Sequence, residues 1–208
     1  MTGTARRYDM MKTTFDMAIS AILLIVLLPV FVIIGIIVSR DGGPMFFCQT
    51  RLGRFGQPFR VIKFRTMAVD ADARLAALLD ASPDARLEWS VKRKLTRDPR
   101  ITHAGGLLRR SSLDELPQLI NVLRGEMSLV GPRPIVADEA ARLGCRLGGI
   151  LSVKPGITGL WQINGRNDVT YFRRVALESV YARHRTVLLD LYILLMTPLA
   201  VVRARGAY

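Results

Sequence analysis

Two adjacent carboxylates, Asp114 and Glu115, stand in the segment RRSSLDELPQ, behind two arginines and two serines. Acids at the start of a helix have a plain structural use. Ser111 with Asp114, and Ser112 with Glu115, match the spacing of a capping box, and negative charge in a first turn complements the helix dipole. They also have a chemical use. One carboxylate could attack phosphorus and form an acyl phosphate. Its neighbour, turned about 100° round the helix, could hold a Mg2+ ion that screens a diphosphate. Cations suited to such a substrate lie in several other segments. Arg109 and Arg110 precede the acids, Lys63 and Arg65 fall in a predicted strand, and Arg100, Arg133 and Arg166 each sit in a loop punctuated by Gly or Pro. Loops of that kind bring guanidinium and backbone N–H groups round a phosphate. Each arginine also reads as an ordinary solvated charge. The chain has no P-loop, no G-x-G-x-x-G, no G-x-S-x-G and no Cys/His cluster of metal-binding type. His103 and His184 stand alone and read as surface or capping residues.

The elements that must position these groups are short. MFFCQ (45–49) and PFRVIKF (58–64) read as two strands of a hairpin around RLGRFGQ. Residues 70–87 are rich in Ala and Leu and predict a helix that ends or restarts at Ser82-Pro83. KRKLTRDPRITHAGG reads as a loop, and Leu107–Arg110 begins another element. Ser111-Ser112 then precede a capped helix, LDELPQLINVLRG, stopped by Gly125. MSLVGPRP reads as a turn, residues 138–147 as a helix, and KPGITGLWQINGRND as irregular. Helices are predicted over about 171–184 and 187–202. The last is interrupted by Asp190 and Pro198, so it either lies in a membrane interface or closes the core.

Composition narrows the class. The chain has 208 residues, 30 Lys+Arg against 17 Asp+Glu, a net charge of +13, and is 50% hydrophobic. Disorder is excluded by the apolar content. A disulfide scaffold is excluded because Cys48 and Cys145 are the only two thiols in a chain long enough to build its own core. Basic and apolar together point to an anionic membrane surface and a negatively charged substrate. The apolar residues concentrate at 18–38, a run without a charge that would be roughly 31 Å long as one helix. Pro29 lies at its centre, where it removes a backbone hydrogen bond. Both flanks are basic, so the positive-inside rule gives no clear orientation. Pattern alone favours a kinked spanning helix over one that dips into a leaflet and returns.

Five stretches together resemble the bacterial sugar transferase family, the monotopic phosphoglycosyl transferases. They are QTRLGRFGQPFRVIKFRTM (49–67), TRDPRIT (96–102), RRSSLDELPQLINVLRGEMSLVGPRP (109–134), KPGITGLWQINGRND (154–168) and LLDLYILLMT (188–197). The resemblance implies transfer of a sugar 1-phosphate from a UDP-sugar to polyprenol phosphate, with release of UMP and ping-pong kinetics. It makes Asp114 the nucleophile and Glu115 a Mg2+ ligand. Lys63, Arg65, Asp98, Arg100, Arg133, Gln162 and Arg166 fall in family motifs as substrate or scaffold residues. Glu178 stands where relatives commonly carry Asp, with a reach longer by one methylene. The family's N-terminal segment is a re-entrant helix broken at a central Pro with both ends cytoplasmic. Pro29 takes that place, although Leu28 replaces the usual Ser.

The implied fold is α+β and mainly helical. It comprises a Pro-broken re-entrant membrane helix with its basic flank (1–40) and a membrane-associated catalytic domain (41–208) containing a small β-hairpin and amphipathic interfacial helices. The implied location is the cytoplasmic face of the bacterial inner membrane, on anionic inner-leaflet lipid, and a homo-oligomer is allowed. The chain resembles the short form of the family, without the extra N-terminal membrane domain of larger relatives. GRNDVTYFRRV (165–175) resembles exopolysaccharide-type members that use UDP-galactose or UDP-glucose. Two rivals come from other classes. A membrane-anchored nucleic-acid-binding protein would need aromatics interleaved with its cations or a reading helix, and neither is present. A non-catalytic membrane scaffold would use Asp114-Glu115 only as a cap.

Overall fold

The computed structural model describes residues 3–92, 95–165 and 169–203. It is mainly helical, with one antiparallel hairpin and one short parallel strand pair. The N-terminal helices α1 (Gly3–Val26) and α2 (Leu28–Val38) meet at an angle of 64°. Pro29 lies in the first turn of α2, where a missing N–H is tolerated, yet the same lack interrupts the hydrogen-bond ladder coming from α1. The break needs no serine. Leu28 is exposed, and Leu27 makes no side-chain cap. Among the described residues no single helix is long and apolar enough to cross a membrane, whereas this bent pair has the length and composition to do so. Alone, the 11 residues of α2 reach about 16 Å, roughly half of a bilayer's hydrocarbon.

Both helices also belong to the core. Phe31, Ile34 and Val38 of α2 pack with Phe64 and Leu108, and the rings of Phe31 and Phe64 are 5.2 Å apart. Ile19, Leu23 and Leu24 of α1 pack on a second cluster containing Leu119, Tyr181 and Ile193. Their outer faces leave Ile22, Ile25, Val32, Ile33 and Ile36 exposed.

The hairpin joins β1 (Phe46–Leu52) to β2 (Pro58–Phe64), with Phe46 opposite Phe64 and Leu52 opposite Pro58. Helices α3 (Ala71–Ala81) and α4 (Pro83–Lys92) restart at Pro83, as read from the sequence. The predicted loop through Gly106 is shorter than expected, because α5 (His103–Ser111) already begins there. Thr102 Oγ1 caps it by accepting from Gly105 N–H at 2.9 Å. Gly105 lies so close to the chain that a Cβ would meet Thr66 O at 2.0 Å. A pair of three-residue strands replaces two segments expected to be irregular. β3 (Ser128–Val130) runs parallel to β4 (Gly156–Thr158), and α9 (Leu160–Ile163) follows directly. Strands of three residues are too short to carry an alternation that can be read.

The helix expected over 138–147 is divided into α7 (Ala137–Leu143), one 3-10 turn and α8 (Leu147–Leu151). The two final helices, α10 (Tyr171–His184) and α11 (Val187–Val202), have the predicted bounds. α11 closes the core with Ile193, which is fully buried, while its other face exposes Leu188, Leu195 and Val202.

Candidate active site

The alternation of a strand builds one wall of the site. Phe47, Gln49 and Arg51 share a face of β1, and Val61 and Lys63 join them from β2. This face borders an open cleft. The rest of its lining is Glu115, Gln118 of α6 (Gln118–Leu123), Arg133, Pro134, Gly156, Ile157 and Gln162.

The acidic pair is not a helix cap. α5 stops at Ser111, Ser112 takes a left-handed conformation (φ 58°), and Leu113–Glu115 form a 3-10 turn ahead of α6. Ser111 Oγ donates back to the carbonyls of Leu107 and Leu108, and Ser112 makes no side-chain cap bond. The capping-box explanation therefore fails. A left-handed serine costs about 1–2 kcal/mol, and this one lies two residues from Asp114.

The tight turn sends the two carboxylates into different surroundings. Glu115 faces the cleft, with Lys63 Nζ at 2.6 Å. Asp114 is buried beside it, and its carboxylate makes no ion pair or side-chain hydrogen bond among the described residues. Burial, and then the charge of Glu115, push its pKa up to about 6, against the pull of Lys63 and Arg109. At neutral pH it is still mainly ionised, and it is more basic than a carboxylate in water. Arg109 is itself held in place, donating from Nε to Thr66 Oγ1 at 2.9 Å.

Of the residues singled out from the sequence, Lys63, Glu115, Arg133 and Gln162 meet on the cleft. Gln162 is fixed by donating to Ile157 O at 2.8 Å, and its Oε1 is buried with no partner. Glu178 lies behind the cleft. Its Oε1 accepts from Arg133 N–H at 3.3 Å and stands 3.7 Å from Arg174 Nε, while Oε2 has no partner. Burial pushes its pKa up to about 7, against the attraction of Arg174.

Three others turn away. Arg65 is a clasp at the end of α2, donating to Val38 O, Pro44 O, Met67 O and both oxygens of Asp41. Asp98 and Arg100 form a bidentate pair with each other, at 2.7 and 2.8 Å, with the guanidinium over Trp89. Arg166 lies outside the described residues. Gln49, Arg51 and Gln118 were missed. The first two carried a signal, since they alternate with Phe47, which lies opposite Lys63 in the hairpin.

No group of three or more His, Cys, Asp or Glu side chains forms a metal cage among the described residues. Of the two acidic residues Glu115 is the one that lines the cleft, where it is paired with Lys63. A Mg2+ ion, which commonly binds through one or two carboxylates plus substrate phosphate, would be held there through Glu115.

Comparison with known proteins places these residues in a wider set. A family model described as bacterial sugar transferase matches residues 7–204. The exopolysaccharide production protein ExoY of Sinorhizobium fredii is 46% identical over 95% of this chain and 88% of its own length. An undecaprenyl-phosphate galactose phosphotransferase of Salmonella typhimurium is 48% identical over 95% of this chain and 42% of its own length. An undecaprenyl-phosphate glucose phosphotransferase of Komagataeibacter xylinus is 39% identical over 97% of this chain and 38% of its own length. The chain thus spans most of the first relative and under half of the other two.

Proposed function

The chain belongs to the bacterial sugar transferase family, and on that premise we propose that it moves a sugar 1-phosphate from a UDP-sugar to undecaprenyl or a similar polyprenol phosphate, releasing UMP. The observation that carries this reading is the unequal state of the two adjacent carboxylates. Glu115 is tethered to Lys63 at 2.6 Å, and the Asp114 carboxylate has no side-chain partner among the described residues. An Asp114 oxygen attacks the sugar-bearing phosphorus, the bond from that phosphorus to the UMP oxygen breaks, and an aspartyl phosphosugar forms. A phosphate oxygen of the polyprenol then attacks the same phosphorus, and Asp114 leaves as a carboxylate. Lys63 and Arg133 offset charge on the diphosphate and the departing UMP. Bound at Glu115, Mg2+ would add Lewis-acid screening of that charge.

The membrane part of the proposal rests on the bend. α2 is too short to cross a bilayer, α1 is free of charge only over its last turns, and the outer faces of α1, α2 and α11 expose aliphatic side chains. A re-entrant pair with both ends on the cytoplasmic face of the bacterial inner membrane keeps the cleft at the level where a soluble nucleotide sugar meets a lipid phosphate. The relatives support a hexose, galactose or glucose, and a role at the start of exopolysaccharide assembly.

A UMP-release screen of the full chain in nanodiscs tests this directly, using a panel of UDP-sugars with undecaprenyl phosphate. UMP should appear with UDP-galactose or UDP-glucose, disappear in excess chelator and return with added Mg2+. No UMP from any donor would overturn the transferase reading, and release indifferent to chelator would remove the metal.

A further inference from the structure

The cleft has a second end, away from the acidic pair. Arg51 lies four residues along β1 from Phe47, the partner of Lys63, which is about 13 Å along the strand. Its guanidinium is held ready, donating to Gln49 Oε1 at 2.7 Å and to Pro134 O at 3.3 Å. Leu52 N–H donates to Ile135 O at 2.8 Å and so pins the end of β1 to the loop that carries Arg133. Lys12, Arg54, Lys63, Arg65, Arg100, Arg174 and Arg185 each have a carboxylate within 3.2 Å. Arg51 and Arg133 have no such ion pair among the described residues.

Burial, with Arg133 close by, pushes the Arg51 pKa down to about 10, still cationic at neutral pH. Arg133 and Arg174 repel the Arg51 guanidinium while Glu139 and Glu115 attract it, and an anion set between Arg51 and Arg133 would offset the repulsive part. A planar fork of N–H donors suits a phosphate in that role. The third observation is the orphaned Oε1 of Gln162, a buried acceptor on the lining of the same cleft. A buried acceptor without a donor carries a desolvation cost that a ligand O–H or N–H relieves.

We propose that this end of the cleft is the nucleotide subsite, where Arg51 and Arg133 grip the phosphate of the nucleoside monophosphate half of the donor and Gln162 Oε1 accepts from its nucleoside. The identity of the donor rests on the transferase reading above. Arg51 then serves only the half-reaction that uses the nucleotide, and the polyprenol phosphate never meets it.

The test uses the full chain in nanodiscs and the variants Arg51→Met and Arg51→Lys. UMP and uridine are titrated by calorimetry, and KM is measured for the UDP-sugar and for undecaprenyl phosphate. Arg51→Met should weaken UMP binding and raise the UDP-sugar KM at least tenfold, leaving uridine binding and the undecaprenyl phosphate KM within twofold. Arg51→Lys should fall between, since a point charge replaces a fork. Unchanged UMP affinity in Arg51→Met would overturn the subsite, as would a parallel rise in both KM values with a lowered unfolding temperature. A wild-type protein that binds UMP in an Arg51-dependent way but releases none from any UDP-sugar would leave the subsite standing and remove the transferase reading. Wild-type protein that binds no UMP would end both.

Discussion

Where α1 meets α10 and α11, polar side chains are paired with one another. Asp190 accepts from Tyr8, Lys12 and Tyr181 at 2.6–2.8 Å, Arg54 and Arg185 flank Asp9, and Asp16 accepts from Ser128 at 2.5 Å. In the cleft the same residue types are left unbalanced. Lys63 has Glu115, but Arg51 and Arg133 form no close ion pair among the described residues and Gln162 Oε1 has no donor. Groups paired as at the α1 contact fix where α1 sits. An unbalanced set is incomplete until something binds. In this chain charge balance, more than residue type, separates structural groups from candidate functional ones.

The contrast can be broken first at the cleft. Asp114→Asn should lower UMP release roughly 1,000-fold or more, because an amide is no nucleophile toward phosphorus, while the unfolding temperature stays near wild type. Retained turnover would remove Asp114 from its role. At the knot the opposite pattern is expected. Asp190→Asn leaves Lys12 without its closest carboxylate, and loss of one partner of a buried pair costs on the order of 3 kcal/mol. Thermal unfolding in nanodiscs should show the loss, and UMP release per folded molecule should persist. A silent Asp190→Asn would mean that the knot is not structural.

Glu178 lies between the two kinds of region, and it sharpens the comparison through pH. Its folded pKa, about 7, lies above the 4.5 of an ordinary glutamate. Its contribution to stability is therefore fully present below about pH 4.5 and is lost as pH rises through about 7. The window corresponds to something on the order of 3 kcal/mol. Wild-type unfolding temperature should decline across it, and Glu178→Gln should flatten the decline. An equal slope in both proteins would place the titrating group elsewhere. The smallest effect belongs to Arg74, whose pair with Asp70 is an exposed one-turn contact. Arg74→Ala should change stability by no more than about 0.5 kcal/mol.

Much of the frame was legible before the fold. The hairpin, the restart at Pro83, the bounds of α10 and α11 and the break near Pro29 all follow from local signals such as alternation, turn residues and proline chemistry. β3 and β4 were not legible, because each is three residues long and their pairing joins segments far apart in sequence. The start of α5 was hidden by Gly105-Gly106, which read as a breaker until the close approach to Thr66 explained Gly105. In the site, motif membership found Lys63, Arg133 and Gln162 on the cleft lining, but it also named Arg65 and the Asp98–Arg100 pair, which face elsewhere.

The sequence by itself determined the chemistry on offer: a paired carboxylate, an excess of arginine, and an apolar run interrupted by one proline. These are properties of residue type and short-range order, and they survive whatever the chain does at a distance. Tertiary structure alone decided which arginines are saturated. Arg65, just past the end of β2, and Arg51, in β1, are the same residue type. One folds back onto five oxygens at the end of α2, and the other lies near Arg133 and the Leu52–Ile135 bridge with no close ion pair among the described residues. Coulomb energy depends on separation and surroundings, and both are set by contacts between segments that no local pattern encodes.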